Sequence, residues 1–175
     1  MKTTVVYGSR YGTAEKYARR LAQLLECEVV SANAFAGAYS DERVIFVGSL
    51  YAQRVTALKK TIKRIVPGAS VCVVTVGLAD PAIPKNVERI TSSVKNQLPD
   101  SFRSAKVYCL RGGIDFSKLG FIHKAMMTGI YQVMKSKTSL SEEDRMFVDA
   151  YGKKIDYFDL ETVTPIAKEL SAAKV

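Results

Sequence analysis

Apolar positions along this chain follow two rhythms that alternate. Unbroken β-branched and aromatic runs stand at Thr3–Tyr7, Val44–Val47, Val71–Val76 and Ala105–Leu110, and each is closed by glycine (Gly8, Gly48, Gly77 and Gly112-Gly113). A continuous apolar run, as opposed to an alternating one, marks a strand covered on both faces. A shorter run, Cys27–Val30, predicts one more strand. Between the strands the apolar residues recur at helical spacing. Tyr17, Ala18, Leu21, Ala22, Leu24 and Leu25 form one such stripe, interrupted by Arg19, Arg20 and Gln23. Val55, Leu58, Ile62 and Ile65 form a second, opposite Lys59, Lys60, Lys63 and Arg64, in a helix over Arg54–Val66 that Pro67-Gly68 ends. A third helix is predicted over Asn86–Leu98, stopped by Pro99. Strands alternating with helices predict an α/β fold: a doubly wound, five-stranded parallel sheet within one domain spanning residues 1–175.

After Leu110 the rhythm changes. Connections in such folds usually run about 2–6 residues, yet about 45 separate this strand from the last helical segment, near Glu161–Leu170. Within them Leu119, Ile122, Met126, Ile130 and Val133 follow a helical stripe, with Met127 and Met134 beside it. Ser139 precedes Glu142 by three positions and Ser141 precedes Asp144 by three, the spacing of a capping box, which predicts a helix over Glu142–Tyr151. The stretch from about 111 to 154 is therefore expected to be a helical insertion before the C-terminal helix.

Composition narrows the class without choosing a function. With 175 residues, 47% hydrophobic and 25% charged, the chain is neither disordered nor a disulfide scaffold. No apolar run approaches the ~20 residues that cross a bilayer. The start turns polar too soon for a signal peptide, so a cytoplasmic setting is expected. Cys27, Cys72 and Cys109 fit no metal motif and read as small core residues in a reducing compartment; no metal site is expected. The net charge of +9 is the unusual quantity. Residues 1–110 carry 16 bases against 8 acids, and residues 111–175 carry 10 against 9. Such an excess favours an anionic partner: an acidic protein, an acidic substrate, an anionic membrane surface or nucleic acid. Nucleic acid is not expected, because no basic strand studded with aromatics and no helix-turn-helix pattern is present.

Ligands of parallel sheets bind at the carboxyl ends of the strands, here the loops Gly8–Thr13, Gly48–Gln53, Gly77–Pro84 and Gly112–Phe116. The first is the most informative. A strand runs into Ser9-Arg10-Tyr11-Gly12-Thr13-Ala14 and a helix begins at once. A helix N-terminus offers unpaired N–H groups and the positive end of a dipole, which suits a phosphate. Ser9 and Thr13 add hydroxyls, and Gly12 lets the backbone approach closely. The same residues also read as a plain strand–turn–helix with a serine cap. No lysine follows in the manner of a nucleotide-hydrolysing loop, and the GxGxxG spacing is absent. Strand ends reading Tyr7-Gly8-Ser9 and Val47-Gly48-Ser49 lack the acids of a phospho-acceptor regulator.

The stretch Val5-Val6-Tyr7-Gly8-Ser9-Arg10-Tyr11-Gly12-Thr13-Ala14-Glu15-Lys16-Tyr17-Ala18-Arg19-Arg20-Leu21 resembles the signature of the flavodoxin superfamily. Where that family usually has Thr, this chain has Ala14, with Thr13 next to it. The resemblance implies a flavodoxin-like fold with FMN as cofactor. Ser9 to Ala14 then hold its phosphate, while Ser49, Leu50, Tyr51 and Ala52 on one side and Thr75, Val76, Gly77 and Leu78 on the other flank the ring. Tyr51 is suited to stack on that ring. The branch with a long insertion, the menaquinone-dependent protoporphyrinogen dehydrogenases, is similar over Lys106–Asp115 and Tyr151–Asp156. It implies oxidation of protoporphyrinogen in haem biosynthesis, with a quinone as electron acceptor. Between Arg111 and Lys137 stand five bases and one acid. Arg111, Lys118 and Lys124 are the residues expected to meet substrate carboxylates or an anionic membrane on its inner face, unless these bases are simply solvated. His123 is a lone helix histidine, read as structural or as a proton acceptor near the flavin. An electron carrier between protein redox partners and a non-enzymatic anion-surface module remain the alternatives, and the oligomeric state is left open.

Overall fold

The computed structural model describes all residues except 11, 52, 141–144, 146, 147, 150 and 173–175. The chain divides into two compact units. The first comprises Met1–Gly112 and the returning segment from Phe158, and the second is Gly113–Tyr157.

The first unit is built on β1 (Thr3–Gly8), β2 (Glu28–Ser31), β3 (Arg43–Tyr51), β5 (Ser70–Gly77) and β6 (Lys106–Arg111). They pair in parallel in the order β2-β1-β3-β5-β6. This is the expected doubly wound five-stranded sheet, and its strand order reverses between β1 and β3. Successive residues point to opposite faces, so continuous apolar strands feed two cores. Val5, Ile45 and Val74 meet α1 (Thr13–Leu25) and the C-terminal α5 (Thr164–Ala172) through Tyr17, Leu21, Ile166 and Leu170. Val6, Phe46 and Val73 meet α2 (Leu58–Ile62) and α3 (Pro84–Lys95) through Leu58, Ile62, Ile90 and Val94. A further helix, α4 (Phe121–Lys135), belongs to the second unit.

Two expectations need correction. Gly48 does not stop β3, which runs on to Tyr51 and turns back as β4, Arg54–Val55, pairing antiparallel with Leu50 and Tyr51. Gly48 is there for clearance: a Cβ would lie 2.3 Å from Val55 Cγ1. The expected helix over Arg54–Val66 is correspondingly shortened to α2. Its first residues belong to β4, Ala57 starts the helix at φ +65°, and Ile65 bridges in parallel to Ala38. The apolar stripe Val55, Leu58, Ile62 and Ile65 is nevertheless buried as its spacing requires.

Tyr17 organises the point where the chain leaves this unit and returns to it. Its hydroxyl, on a side chain only 1% exposed, donates to the Arg111 carbonyl at 2.8 Å and accepts from the Asp159 N–H at 3.0 Å. Its ring lies 4.7 Å from that of Phe158, centroid to centroid.

In the second unit, β7 (Gly113–Asp115) pairs antiparallel with β8 (Lys154–Asp156). The Tyr151 ring stacks on Tyr131 of α4 at 4.1 Å and meets Phe116 edge-on at 5.3 Å. Its hydroxyl shares a 2.5 Å hydrogen bond with Thr128. The apolar stripe that runs into α4 is not uniformly covered. Leu119 and Met127 are buried, whereas Val133 is 63% exposed, because the helix contacts its unit through the Met127–Tyr131 side. Of the helix expected over Glu142–Tyr151, Arg145, Val148 and Asp149 are helical and Tyr151 lies in a turn; the capping residues fall outside the described ones. Among the described residues no helix is long and apolar enough to cross a membrane, and no cluster of metal-ligating side chains is present.

Tyr17→Phe is expected to cost about 1–2 kcal/mol in chemical denaturation, because it leaves the Arg111 carbonyl and the Asp159 N–H without their partner. Burial pushes the Cys72 thiol up to about 12, so Cys72 should not react with a thiol reagent at neutral pH until the protein unfolds.

Candidate functional site

The carboxyl ends of β1, β3, β5 and β6 are joined into one ring of contacts. The loop after β1 begins at Gly8, the register partner of Gly48. A Cβ on Gly8 would sit 2.2 Å from the Thr56 carbonyl oxygen, so only glycine lets the segment after β4 cross there. Ser9 Oγ accepts the Gly12 N–H at 3.0 Å, which leaves the serine's own proton to donate outward. Gly12 caps α1 at φ +87°, a conformation that L side chains rarely adopt. A Cβ there would meet nothing within 4 Å, so its backbone borders open space.

No side chain caps α1. The first hydrogen bond of the helix, Lys16 N–H to the Gly12 carbonyl at 3.0 Å, leaves the N–H groups of Thr13, Ala14 and Glu15 at its mouth. One feature of the first turn would oppose an anion, the Glu15 carboxylate, but it is drawn back along the helix. Arg19 donates to it at 2.9 and 2.7 Å and the Tyr7 hydroxyl at 3.2 Å. The Arg19 hydrogen bond is also the leading cause that holds its carboxyl below the usual range. Ala14 is fully buried in the α1 core, so what it offers the loop is its N–H.

The second loop leans on the first and on α3. The Arg10 guanidinium lies 5.6 Å from the centroid of the Tyr51 ring. Beyond Tyr51 the turn passes through Gln53 at φ +62°. Its carbonyl accepts from Ser93 Oγ at 2.5 Å and from Gln97 Nε2 at 3.0 Å, while Gln97 Oε1 accepts the Val55 N–H at 3.0 Å. Leu50 packs across Gly77, where a Cβ would lie 3.4 Å from its own. Ser49 accepts the Thr56 N–H on its carbonyl at 2.9 Å.

At the third loop the Gly77 carbonyl accepts the Gly112 N–H at 2.7 Å. A Cβ on Gly112 would lie 3.5 Å from Thr13 Cγ2, which closes the ring back to the first loop. Asp80 fixes the segment that follows. Its carboxylate accepts the Ala82 N–H at 2.9 Å and pairs with Arg111 at 3.3 Å, and its carbonyl accepts from the buried Asn86 side chain at 3.0 Å. Arg111 also reaches the Leu78 carbonyl at 3.4 Å.

The structure thus gathers Ser9, Arg10, Gly12, Thr13, Ala14, Ser49, Leu50, Tyr51, Gly77 and Leu78 at one end of the sheet. Thr75 and Val76 are buried inside β5, and the Thr75 hydroxyl is engaged with the Tyr108 carbonyl at 3.2 Å. Arg111 holds the third loop. Lys124 is exposed on α4 in the second unit. Tyr11, Ala52 and the side chains of Lys118 and His123 lie outside the described ones. The sequence reading missed Ser93, on α3, and Gln97, in the turn after it, at positions that carry no motif. It also passed over Asp80, although Asp before Pro81 is a turn signal.

A family model described as a flavodoxin domain matches residues 4–141, well over half of the chain. The chain belongs to the flavodoxin family. No curated protein matches its sequence. Among solved structures it is similar to the Trp repressor binding protein of Bacillus subtilis (16% identity, TM-score 0.37, covering 63% of this chain and 83% of that one). It is also similar to the C101S mutant of flavodoxin from Pseudomonas aeruginosa (18% identity, TM-score 0.36, covering 76% and 96%). Flavodoxin domains take FMN, and FMN is the cofactor here. The donors present fit its phosphate: an uncapped helix mouth, a serine proton left to donate, a glycine bordering open space, and an acid already tied back to Arg19.

Gly12→Val is expected to weaken FMN binding by at least about tenfold in a fluorescence titration, since it forces a β-branched residue into a left-handed backbone. Arg111→Met should leave the fold in place but speed amide exchange across residues 78–83, which lose the tether that Asp80 and the Leu78 carbonyl make to Arg111.

Proposed function

We propose that this flavodoxin-family protein is an FMN-dependent oxidoreductase that oxidises a reduced organic substrate and passes the electrons to a quinone, with protoporphyrinogen IX as the substrate. The observation that carries the FMN redox reading is the uncapped N-terminus of α1 inside the ring of strand-end loops. The substrate rests on the likeness of Lys106–Asp115 and Tyr151–Asp156 to the protoporphyrinogen dehydrogenases and on the excess of bases after Arg111.

Bound FMN supplies the electron-accepting and electron-releasing chemistry. The chain supplies position. Ser9, Gly12 and the N–H groups of Thr13 to Glu15 hold the phosphate, and Tyr51 and Leu50 wall one side of the ring site. Gly77 and Leu78 form the other wall, kept in place by Asp80, Asn86 and Arg111. Each hydride and proton removed from the substrate is matched by reduction of one quinone to its quinol. Lys124 and Lys118 are the side chains proposed to meet the substrate's propionates. The setting is proposed to be cytoplasmic, at the inner face of the membrane from which a quinone is delivered.

The purified protein, mixed with excess FMN and desalted, should retain a flavin spectrum. It should then oxidise protoporphyrinogen anaerobically when a soluble naphthoquinone is added, with porphyrin fluorescence as the readout. Retained FMN without porphyrin formation would overturn the substrate and leave electron transfer between protein partners as the function. Loss of all flavin would overturn the redox reading itself.

A further inference from the structure

The cations of the first unit are not treated alike by the fold. On the face covered by α1 and α5 three of them are paired with acids within the unit, Arg19 with Glu15, Arg20 with Glu161 and Lys106 with Glu169, while Lys16 and Lys168 stand exposed there. The opposite face is different. Between Arg54 and Lys95 stand eight bases and only two acids, Asp80 and Glu88, and Asp80 is committed to Arg111. Arg54, Lys59, Lys60, Lys63 and Lys85 are exposed and Lys95 half-exposed; none of these six pairs with a carboxylate among the described residues. Since α2 and α3 cover the same side of the sheet, their outer sides share one surface.

That surface has relief as well as charge. A shallow cleft of about 470 Å³ is lined by Gln53, Arg54, Arg89, Ser92, Asn96 and Gln97. It lies against the turn that carries Tyr51, because Arg54 is the register partner of Tyr51 in the β3–β4 hairpin.

Three kinds of anionic partner would answer such a charge, and the surface distinguishes them. A lipid surface is gripped by apolar side chains that insert beside the bases. Here Leu58, Ile62, Ile90 and Val94 are all turned into the core, and a single large apolar side chain, Val66, is exposed between Arg54 and Leu98 among the described residues. A nucleic acid without sequence readout is held by aromatic platforms alternating with bases, and no aromatic residue occurs between Arg54 and Leu98. What remains is a cleft rimmed by arginines and floored by hydroxyls and carboxamides, groups that hydrogen-bond side-chain carboxylates and peptide backbone alike. We propose that the α2–α3 face, centred on this cleft, is a docking surface for an acidic protein, which it seats beside the Tyr51 turn. This goes beyond the FMN reading and does not depend on it.

The test is an amide NMR titration of the full chain with poly-L-glutamate at low ionic strength. Shifts should concentrate at residues 53–66 and 84–97. Lys59→Glu with Lys85→Glu should weaken the binding by about tenfold or more, whereas Lys16→Glu with Lys168→Glu, an equal change of charge on the other face, should weaken it far less. Added salt should weaken the wild-type interaction steeply. Shifts centred on 121–137 or spread evenly would overturn the assignment, as would equal losses in the two double variants. Tighter binding to anionic phosphatidylglycerol vesicles or to a mixed-sequence DNA duplex than to poly-L-glutamate would overturn the choice of partner. FMN retention, read on the same samples, separates the outcomes. Retained flavin with a misplaced or absent shift map fails the docking surface alone; lost flavin with the expected map fails the redox reading alone.

Discussion

One buried hydroxyl ties together α1, the end of the last strand and the segment by which the chain returns. Tyr17 projects from α1, whose mouth receives the phosphate. It holds the carbonyl of Arg111, where the last strand ends, and the N–H of Asp159, where the chain returns. A phenol both donates and accepts, so it satisfies two backbone groups that the departure of a whole unit between them would otherwise leave apart. The ends of that departure are thereby fixed within the first unit.

The site is held mainly by close approach and by backbone groups. Gly8 and Gly48 sit at matching register, and each clears a path for the segment that follows β3. A hydrogen bond from Gly112 to Gly77 carries the pairing of β5 and β6 past the end of their ladder. The polar side chains that matter most, Asp80, Arg111, Ser93 and Gln97, serve to fix loops. That division suits a cofactor protein. The cofactor carries the reactive centre, and the protein supplies a rigid frame of donors around it.

Much of this is legible in the amino-acid sequence. Strands buried on both faces leave long apolar runs, so β1, β3, β5 and β6 announced themselves, and a strand running into Ser9-Arg10-Tyr11-Gly12-Thr13 ahead of a helical stripe could be read as an anion loop. The hairpin after β3 could not. Arg54 and Val55 fit the start of the α2 stripe as well as they fit a short strand, and only the pairing of Leu50 with Val55 decides between them. Periodicity found the buried side of α2 but overran its length. On α4 it could not tell that Val133 lies exposed, because the aromatic stack of Tyr131 and Tyr151 sets which side is covered. The uneven pairing of cations was equally hidden. Net charge is a sum, whereas neutralisation depends on which acids the fold brings near.

The shared carbonyl of Gln53 has a mechanical meaning. Ser93 grips it from the last turn of α3 and Gln97 from the turn that follows, and Gln97 also grips Val55 on the other arm of the hairpin. The turn therefore cannot swing unless α3 moves with it. Helix and hairpin form a lever with one arm on the outer surface and the other ending at Tyr51. Whatever leans on the outer arm does work on the ring wall, and by reciprocity a molecule pressed against Tyr51 alters how the outer arm is presented.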